Sequence, residues 1–393
     1  MERSIGLDMG YGFIKVDDGR EGHVFPSVVG EGESGMPMSL AVGRRGGSNE
    51  LRISYGGKSY LLGDYAIRHS RLAHRGLSPT RAEGDDLKIL FLGALSLYAR
   101  ETVNNFYVVT GLPPGRMHMA DDFVRQLRGD HEVIRHVGAS RFGVSIRLEH
   151  IEVVPQPVGS YWSEVLDDRG QIREDHPLLT GRVGIMDIGF RTSDFATVID
   201  GEYSPGFCKT VPLGISFGYE EIAQELSTQY GLEREQYTLD EAIIQGQVNV
   251  NGRPVDIVEL RDRIFGDIAT KLLVEARSMW QIQEYDHIII TGGGGRVLER
   301  YLRPELPQAQ LAQDPVTANA RGYYNWAYFN AQQQAPEMEA SPQGPQPEGD
   351  AHGGAYGYGA GSTSYSRGEE RDDPTQQRTD PAHQRTMGGG PGV

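Results

Sequence analysis

Two copies of one short design constrain this chain more than anything else in it. Residues 183–186, Val-Gly-Ile-Met, read as a short buried strand ending on a carboxylate, Asp187. Gly189 then permits a tight turn, and residues 194–198 lead out as a second strand. Near the N-terminus, residues 5–7 run into Asp8, turn at Gly10 and leave through residues 13–16. Asp8-Met9-Gly10-Tyr11 and Asp187-Ile188-Gly189-Phe190 are the same tetrad: acid, apolar, glycine, aromatic. Each reads as a β-hairpin. Turn amides suit phosphate oxygens, and a carboxylate at a strand end suits a hydrated divalent cation. Two such hairpins, about half a core apart, predict two similar domains facing one nucleotide.

Between and beyond the hairpins the pattern alternates strand and helix. Residues 51–62 read as strands around a Gly56-Gly57 turn, and 85–105 as a long helix with Leu87, Leu90, Phe91, Ala94, Leu95 and Tyr98 at helical spacing. A buried strand follows at 106–110, a helix at 118–128, two strands through Leu148, a separate strand at 151–154 and a helix at 158–166. After the second hairpin come a strand at 208–213 and a helix opened by residues 214–218. A long amphipathic helix spans 258–282, a buried strand 287–291, and four glycines (292–295) precede a helix from Arg296. A last helix is expected at 317–329. Residues 30–49 read as a mobile surface insertion, and 231–258 as an insertion between two helices.

From 331 the composition changes to Gln, Pro, Gly and Ser with almost no aliphatic residue, which cannot offset the entropy of ordering, so 331–393 is expected to be a disordered tail.

Charge and cysteine content remove several function classes. With 38 basic against 54 acidic residues the formal charge is −16, against the sign of a general nucleic-acid or anionic-membrane binder. Cys208 is the only cysteine, which excludes an intrachain disulfide and fits a reducing, cytoplasmic location. The charged start runs directly into a strand, so no signal peptide is expected. The longest apolar run, 89–98, is far short of the roughly 20 residues that span a bilayer. The arginines at 116, 125, 128, 135, 141 and 147 alternate with acids and apolar residues and read as a solvated face. No paired histidine motif points to a transition metal.

The glycine motifs acquire meaning from their order. No GxxxxGK[ST] is present, and neither Gly10-Tyr11-Gly12 nor Gly292–Gly295 fits a dinucleotide fingerprint. Gly214-Ile215-Ser216-Phe217-Gly218 has the spacing of a nucleophile elbow but opens a loop on the phosphate side. In sequence, however, IGLDMGYGFIKV, VVPQPVG, VGIMDIGFRTSDF, IIITGGGGRVL and DPVTANARGYY span residues 5–324. That succession resembles the actin-like ATPase superfamily, and within it the bacterial and archaeal plasmid-partition proteins of the ParM/StbA type. The five segments resemble phosphate 1, the first connecting segment, phosphate 2, the adenosine motif and the second connecting segment.

The resemblance implies an α/β, actin-like ATPase fold: two ribonuclease-H-like domains around a nucleotide cleft, plus the disordered C-terminal tail. Domain I is expected over 1–155 with a small β insertion at 26–84, and domain II over 156–316 with an insertion at 231–258. A closing helix at 317–330 returns to domain I. The implied ligands are ATP, with GTP left open, and Mg²⁺ held through water by Asp8 and Asp187. Gly10, Tyr11 and Gly12 would wrap the phosphates. Lys15 would reach them too, or else be a solvated strand lysine. Asp187 would hold the metal's waters or assist deprotonation of the attacking water, while Gly189, Phe190 and Arg191 supply turn amides and Thr192 a hydroxyl.

Asp194 is either a phosphate-site acid or a turn-stabilising or solvated carboxylate. Gln156 matches the position that orients the attacking water, where many partition-type relatives carry glutamate; its alternative is a helix-capping glutamine. Gly292, Gly293 and Gly294 would let backbone approach the adenosine and α-phosphate. Gly214 would belong to the cofactor-binding loop on the phosphate side, and Glu220 and Glu221, just after it, would contact the ribose or base or else be solvated helix acids. Ala318, Ala320 and Gly322 would allow close packing at the hinge.

Three functions share such a site. A polymerising ATPase uses nucleotide state to set subunit affinity. A small-molecule kinase of sugar-kinase type needs a base in the cleft, for which Asp121 or Asp122 are the only proposals. An Hsp70-type chaperone needs a peptide-binding β domain that residues 331–393 are too polar to form. The favoured reading is a homopolymeric cytoskeletal filament for plasmid or DNA segregation, linked to DNA by an adaptor protein, with no direct membrane or general nucleic-acid binding. The two insertions would lie on outer subdomains where longitudinal contacts form, and the tail would hang from the filament.

Overall fold

The computed structural model describes residues 2–32, 50–70, 73, 85–138, 140–233 and 239–339. The first expected hairpin is β1 (Arg3–Met9) and β2 (Phe13–Asp17), with β3 (Gly22–Pro26) folded back on β2. β4 (Val29–Glu31), β5 (Leu51–Tyr55) and β6 (Lys58–Leu62) make a small antiparallel extension, followed by α1 (Gly63–His69) and α2 (Asp85–Ser96). Then come β7 (Val103–Leu112), α3 (Ala120–Leu127), β8 (Gly129–Val137) and β9 (Ser140–Pro155). These strands form one sheet in the order β3-β2-β1-β7-β9-β8-β5-β6-β4. Its centre is parallel: β1 pairs with β7 and β7 with β9.

The second sheet repeats that plan. After α4 (Gln156–Val165) comes the second hairpin, β10 (Arg182–Ile188) with β11 (Ser193–Ile199), and short edge strands β12 (Glu202–Tyr203) and β13 (Lys209–Val211) pair with β11. α5 (Ser216–Tyr230), α6 (Asp240–Gln245), the small hairpin of β14 (Gln247–Val250) and β15 (Arg253–Asp256), and α7 (Val258–Met279) lead to β16 (His287–Thr291). α8 (Gly292–Leu302) and β17 (Ala309–Leu311) follow, and β10, β16 and β17 run parallel. α9 (Ala318–Glu339) then returns to pack on β1 and β7. Parallel neighbours require crossover connections, which here are helical.

Each sheet has its own apolar core. Ile5, Leu7, Phe106 and Val108 pack with Phe91 and Leu95 of α2, and Met186, Ile188, Ile288 and Ile290 pack with Ile222 of α5 and Phe265 and Leu272 of α7. Between the sheets, α4 and α9 cross at backbone contact. A Cβ on Gly322 would sit 1.7 Å from the Gly159 carbonyl oxygen, so no side chain can stand at that crossing. Beside it, Trp162 and Trp326 stack with ring centroids 4.3 Å apart and planes 3° from parallel.

Four local expectations change. The helix expected over 85–105 stops at Ser96: the Leu97 and Tyr98 amides donate three residues back, to the Ala94 and Leu95 carbonyls at 3.2 and 3.0 Å. Asn104 Oδ1 closes the next turn by accepting from the Arg100 and Glu101 amides at 3.0 and 3.2 Å. The two strands expected on either side of residues 149–150 are one, β9, since Glu149 and His150 lie exposed without breaking the extended backbone. The four glycines do not precede a helix but form the first turn of α8. The closing helix runs on to Glu339, past the expected start of the tail. The rest of that tail, and most of the insertion expected at 30–49, lie outside the described residues. No helix among the described residues is long and apolar enough to cross a membrane.

Candidate functional site

The carboxyl ends of β1, β7, β9, β10 and β16 converge on one cleft, the position where open α/β sheets bind ligands. Its volume is about 760 Å³, within the range of small-molecule sites.

The two hairpins place their acids there. Asp8 and Asp187 are both buried and both line the cleft. Lys15, directly across the first hairpin, puts its Nζ 2.8 Å from Asp8 Oδ2. Gln156, the first residue of α4, donates from Nε2 to Asp8 Oδ1 at 3.4 Å. In the second hairpin the residue across from Asp187 is another acid, Asp194. Burial, and then the charge of Asp8, push the Asp187 carboxyl up to about 6, while a hydrogen bond from Asn319 and the charge of Lys15 pull it down. Burial also raises Asp194, to about 7, and the charge of Asp187 adds to it. Asp194 accepts from Thr210 Oγ1 at 2.6 Å and from Thr192 Oγ1 at 3.3 Å. Thr210 in turn accepts from the Gly115 amide at 3.0 Å, which ties the loop after β7 to the second sheet.

Gly10, Tyr11, Gly12, Gly189, Phe190, Arg191 and Thr192 all line the cleft. The second turn is braced from behind: the Ile215 and Ser216 amides donate to the Gly189 and Phe190 carbonyls at 3.1 and 2.7 Å. Gly292, Gly293 and Gly294 also line the cleft, beside the second turn. At Gly292 φ is +83° and a Cβ would meet Asp187 Oδ1 at 2.5 Å, whereas at Gly293 a Cβ would meet nothing within 4 Å. Gly293 therefore presents bare backbone to open space.

Three expected residues do not reach the cleft. Gly214 lies under the second turn, where a Cβ would stand 2.5 Å from the Phe190 carbonyl oxygen, and so supports that turn. Glu220 and Glu221 are exposed and do not line the cleft. Their neighbour Tyr219 takes the inward position, edge-on to Phe190 at 5.8 Å, because the helical period turns the next two side chains outward. The reading of the arginines as a uniform solvated face is also corrected. Arg116 lines the cleft, bonded to the Tyr11 hydroxyl, and Arg135 is half-buried, donating to the Ser96 carbonyl at 3.1 Å.

Other lining residues had escaped the sequence. Ile243, Phe265, Arg261, Arg296 and Arg300 surround the end of the cleft near Tyr219. Asn319, buried at the start of α9, donates from Nδ2 to Asp187 Oδ2 at 2.7 Å. A signal for Asn319 existed: with Tyr323 and Ala327 it occupies an i, i+4, i+8 row that is otherwise apolar.

The donor set fits a divalent cation shared with a polyphosphate. Asp8, Asp187 and Asp194 are hard oxygen donors, and the last two carry the penalty of burial without a cationic partner in contact. Among the described residues no group of three or more His, Cys, Asp or Glu is arranged to hold a metal ion by itself. A divalent cation here would take the rest of its shell from water or ligand oxygens.

Comparisons with known proteins bear on the family and the fold. The family model for the N-terminal domain of actin-like proteins matches residues 6–159, and that for the C-terminal domain of archaeal MreB-like actin homologues matches residues 185–304. The fold is similar to that of a ParM solved as a 15-stranded filament from Clostridium botulinum, with a TM-score of 0.72 and 21% identity over 83% of this chain and 99% of that one. It is similar to the archaeal actin homologue Ta0583 in complex with ADP, with a TM-score of 0.67 and 18% identity over 83% and 98% of the two chains. The actin-like protein Alp7A gives a TM-score of 0.67 at 16% identity, over 86% and 99%. No curated protein sequence matches the chain.

Proposed function

This chain belongs to the actin-like superfamily, and on that premise we propose that it is a polymerising ATPase whose nucleotide state governs assembly into cytoskeletal filaments. The observation that carries the reading is the pair Asp8 and Asp187: each ends an equivalent strand of its own sheet, each precedes a glycine turn, and both face one cleft. Assembly is supported by similarity to the Clostridium botulinum ParM, solved as a filament, and a nucleotide ligand by similarity to Ta0583, solved with ADP.

In this reading the amides of Gly10–Gly12 and Gly189–Thr192 cradle the phosphates from opposite sides, and Lys15 places its ammonium group between Asp8 and those oxygens. Asp8 and Asp187 would hold Mg²⁺ through its waters. When bound, the ion neutralises charge across the β- and γ-phosphates. Gln156 donates one N–H to Asp8 and keeps its carbonyl oxygen and second N–H for the attacking water. A carboxamide takes up no proton, so it orients and polarises that water rather than acting as its base. Bare backbone at Gly293 admits the α-phosphate side of the nucleotide, and Tyr219, Ile243 and Phe265 cover the base. A kinase gains no support, because Asp121 and Asp122 are exposed and do not line the cleft.

The partners are then further copies of the chain and an adaptor that links the filament to DNA, with the filament in the cytoplasm and plasmid or other DNA as cargo. Right-angle light scattering tests this: Mg-ATP is expected to raise the signal, which decays as phosphate is released, and Mg-ADP leaves it flat. Asp187→Ala is expected to abolish turnover while sparing the fold. A flat trace with ATP bound, across several salt conditions, would reject polymerisation.

A further inference from the structure

We infer that Asn319 is a positioning residue that fixes the Asp187 carboxylate for ATP hydrolysis and ties its position to the crossing of the two hinge helices. The inference rests on the ATPase reading above and adds to it a residue outside the phosphate-binding turns.

Both ends of the Asn319 carboxamide are committed. Its Oδ1 accepts from the Ser160 amide at 3.0 Å and from Ser160 Oγ at 2.7 Å. The Ser160 amide can only donate, so the oxygen must face α4 and the Nδ2 must face Asp187, at 2.7 Å from Oδ2. Ser160 Oγ also lies 2.8 Å from Thr291 Oγ1, and Thr291 stands beside Asp187 in the pairing of β10 with β16. A buried chain therefore runs from Asp187 on β10 through Asn319 on α9 and Ser160 on α4 to Thr291 on β16.

The carboxamide is planar, so its head cannot turn away from Ser160 without also leaving Asp187. Ser160 follows Gly159, whose carbonyl touches Gly322 of α9 one turn beyond Asn319. Backbone meets backbone there, and no flexible side chain absorbs a shift of α9 against α4. Any hinge motion that displaces one helix along the other reaches the Asp187 carboxylate through a single rigid group. Hydrolysis geometry and cleft closure are thereby mechanically one event.

The test uses the full chain below its assembly concentration, with Mg-ATP turnover, binding of a fluorescent ADP analogue, and thermal unfolding as a check on folding. Asn319→Asp, assayed at pH 9 so that the new carboxyl does not simply share a proton with Asp187, keeps the acceptor for Ser160, and hence the helix joint, but removes the donor to Asp187. It is expected to lower kcat about 100-fold, the scale of a misplaced catalytic group. KM and affinity for the ADP analogue should change less than about 3-fold, since the lost interaction is one the chemical step needs. Turnover by Asn319→Asp within about 3-fold of the parent would overturn the role, as would a loss of ADP affinity equal to the loss of kcat.

Ser160→Ala leaves the bond to Asp187 and removes one of its two ties. It is expected to lower kcat about 5-fold at unchanged ADP affinity. If Asn319→Asp does not fold, this variant decides, and unchanged turnover overturns the tie to the hinge. A parent chain that binds ADP but releases no phosphate overturns the ATPase reading and this role together. Parent turnover that survives in both variants overturns this role alone.

Discussion

Lys15 and Asp194 occupy the same place in the two hairpins: each stands directly across the antiparallel pair from the acid that ends the first strand. The two halves of the site are therefore alike in backbone and opposite in charge. Asp8 has an ammonium group at 2.8 Å, and Asp187 faces a second carboxylate. The second hairpin is where a bound cation gains most.

That asymmetry gives a pH dependence. Asp194, held near 7 in the fold, binds its proton more tightly there than in the unfolded chain. Its contribution to stability is full below the ordinary aspartate range and is lost as pH rises through about 7. Asp194→Asn keeps an acceptor for Thr210 and removes this loss. The variant should gain on the parent between pH 4 and pH 8, by about 1.4 kcal/mol for each unit of raised pKa. Urea unfolding of the nucleotide-free protein checks this, and a difference independent of pH would contradict it.

Lys15→Met leaves Asp8 buried without its partner. Stability should fall by about 3 kcal/mol, the cost of stranding one member of a buried pair, and added Mg-ATP should restore part of it. Thermal unfolding with and without Mg-ATP measures both. An unchanged melting temperature would mean that solvent already screens the pair.

Two glycine substitutions separate hinge from ligand. Gly322→Ala pushes a methyl into the Gly159 carbonyl and is expected to cost about 3 kcal/mol or more, or to spread the hinge. Gly293→Ala meets nothing and sits in the first turn of a helix, so stability should hold or rise by up to about 1 kcal/mol. Nucleotide affinity should nevertheless fall about 10-fold as the methyl enters the space the ligand needs. Denaturation curves beside ADP titrations distinguish the two patterns.

At the other end of the cleft, Tyr219→Ala should weaken nucleotide binding about 10-fold by removing an aromatic wall. Glu220→Gln and Glu221→Gln should leave it within about 2-fold, as exposed charges that do not line the cleft do. Equal effects from all three would return the acids to the site.

What the sequence made legible was local. An acid, an apolar residue, a glycine and an aromatic at the end of a strand need no distant partner to be read as a turn. Their repetition, with the glycines after β16, was enough for the two-sheet plan and for most of the residues that both glycine turns bring to the cleft. Tyr219 and Asn319 were missed for a different reason. Each sits on a helix whose inward face is set by what it packs against, and that partner lies far along the chain: β10 for Asn319, the turn at Phe190 for Tyr219. Arg116 was masked by its neighbours, since a run of alternating charges conceals the one member that turns inward. The end of α2 escaped because its last turn tightens to bonds three residues back, a change that apolar spacing does not mark.

The stacked Trp162 and Trp326 make the hinge optically active in its own right. One indole rides on α4 and the other on α9, so a slide of the helices changes the overlap of two coupled chromophores. The chain's third tryptophan, Trp280, packs against Phe195 and Tyr285 inside the second sheet and stays out of that motion. Far-ultraviolet circular dichroism of the unlabelled protein, in the strong indole band, should then report a slide of α4 on α9 as a change in exciton coupling, with Trp280 as a constant background.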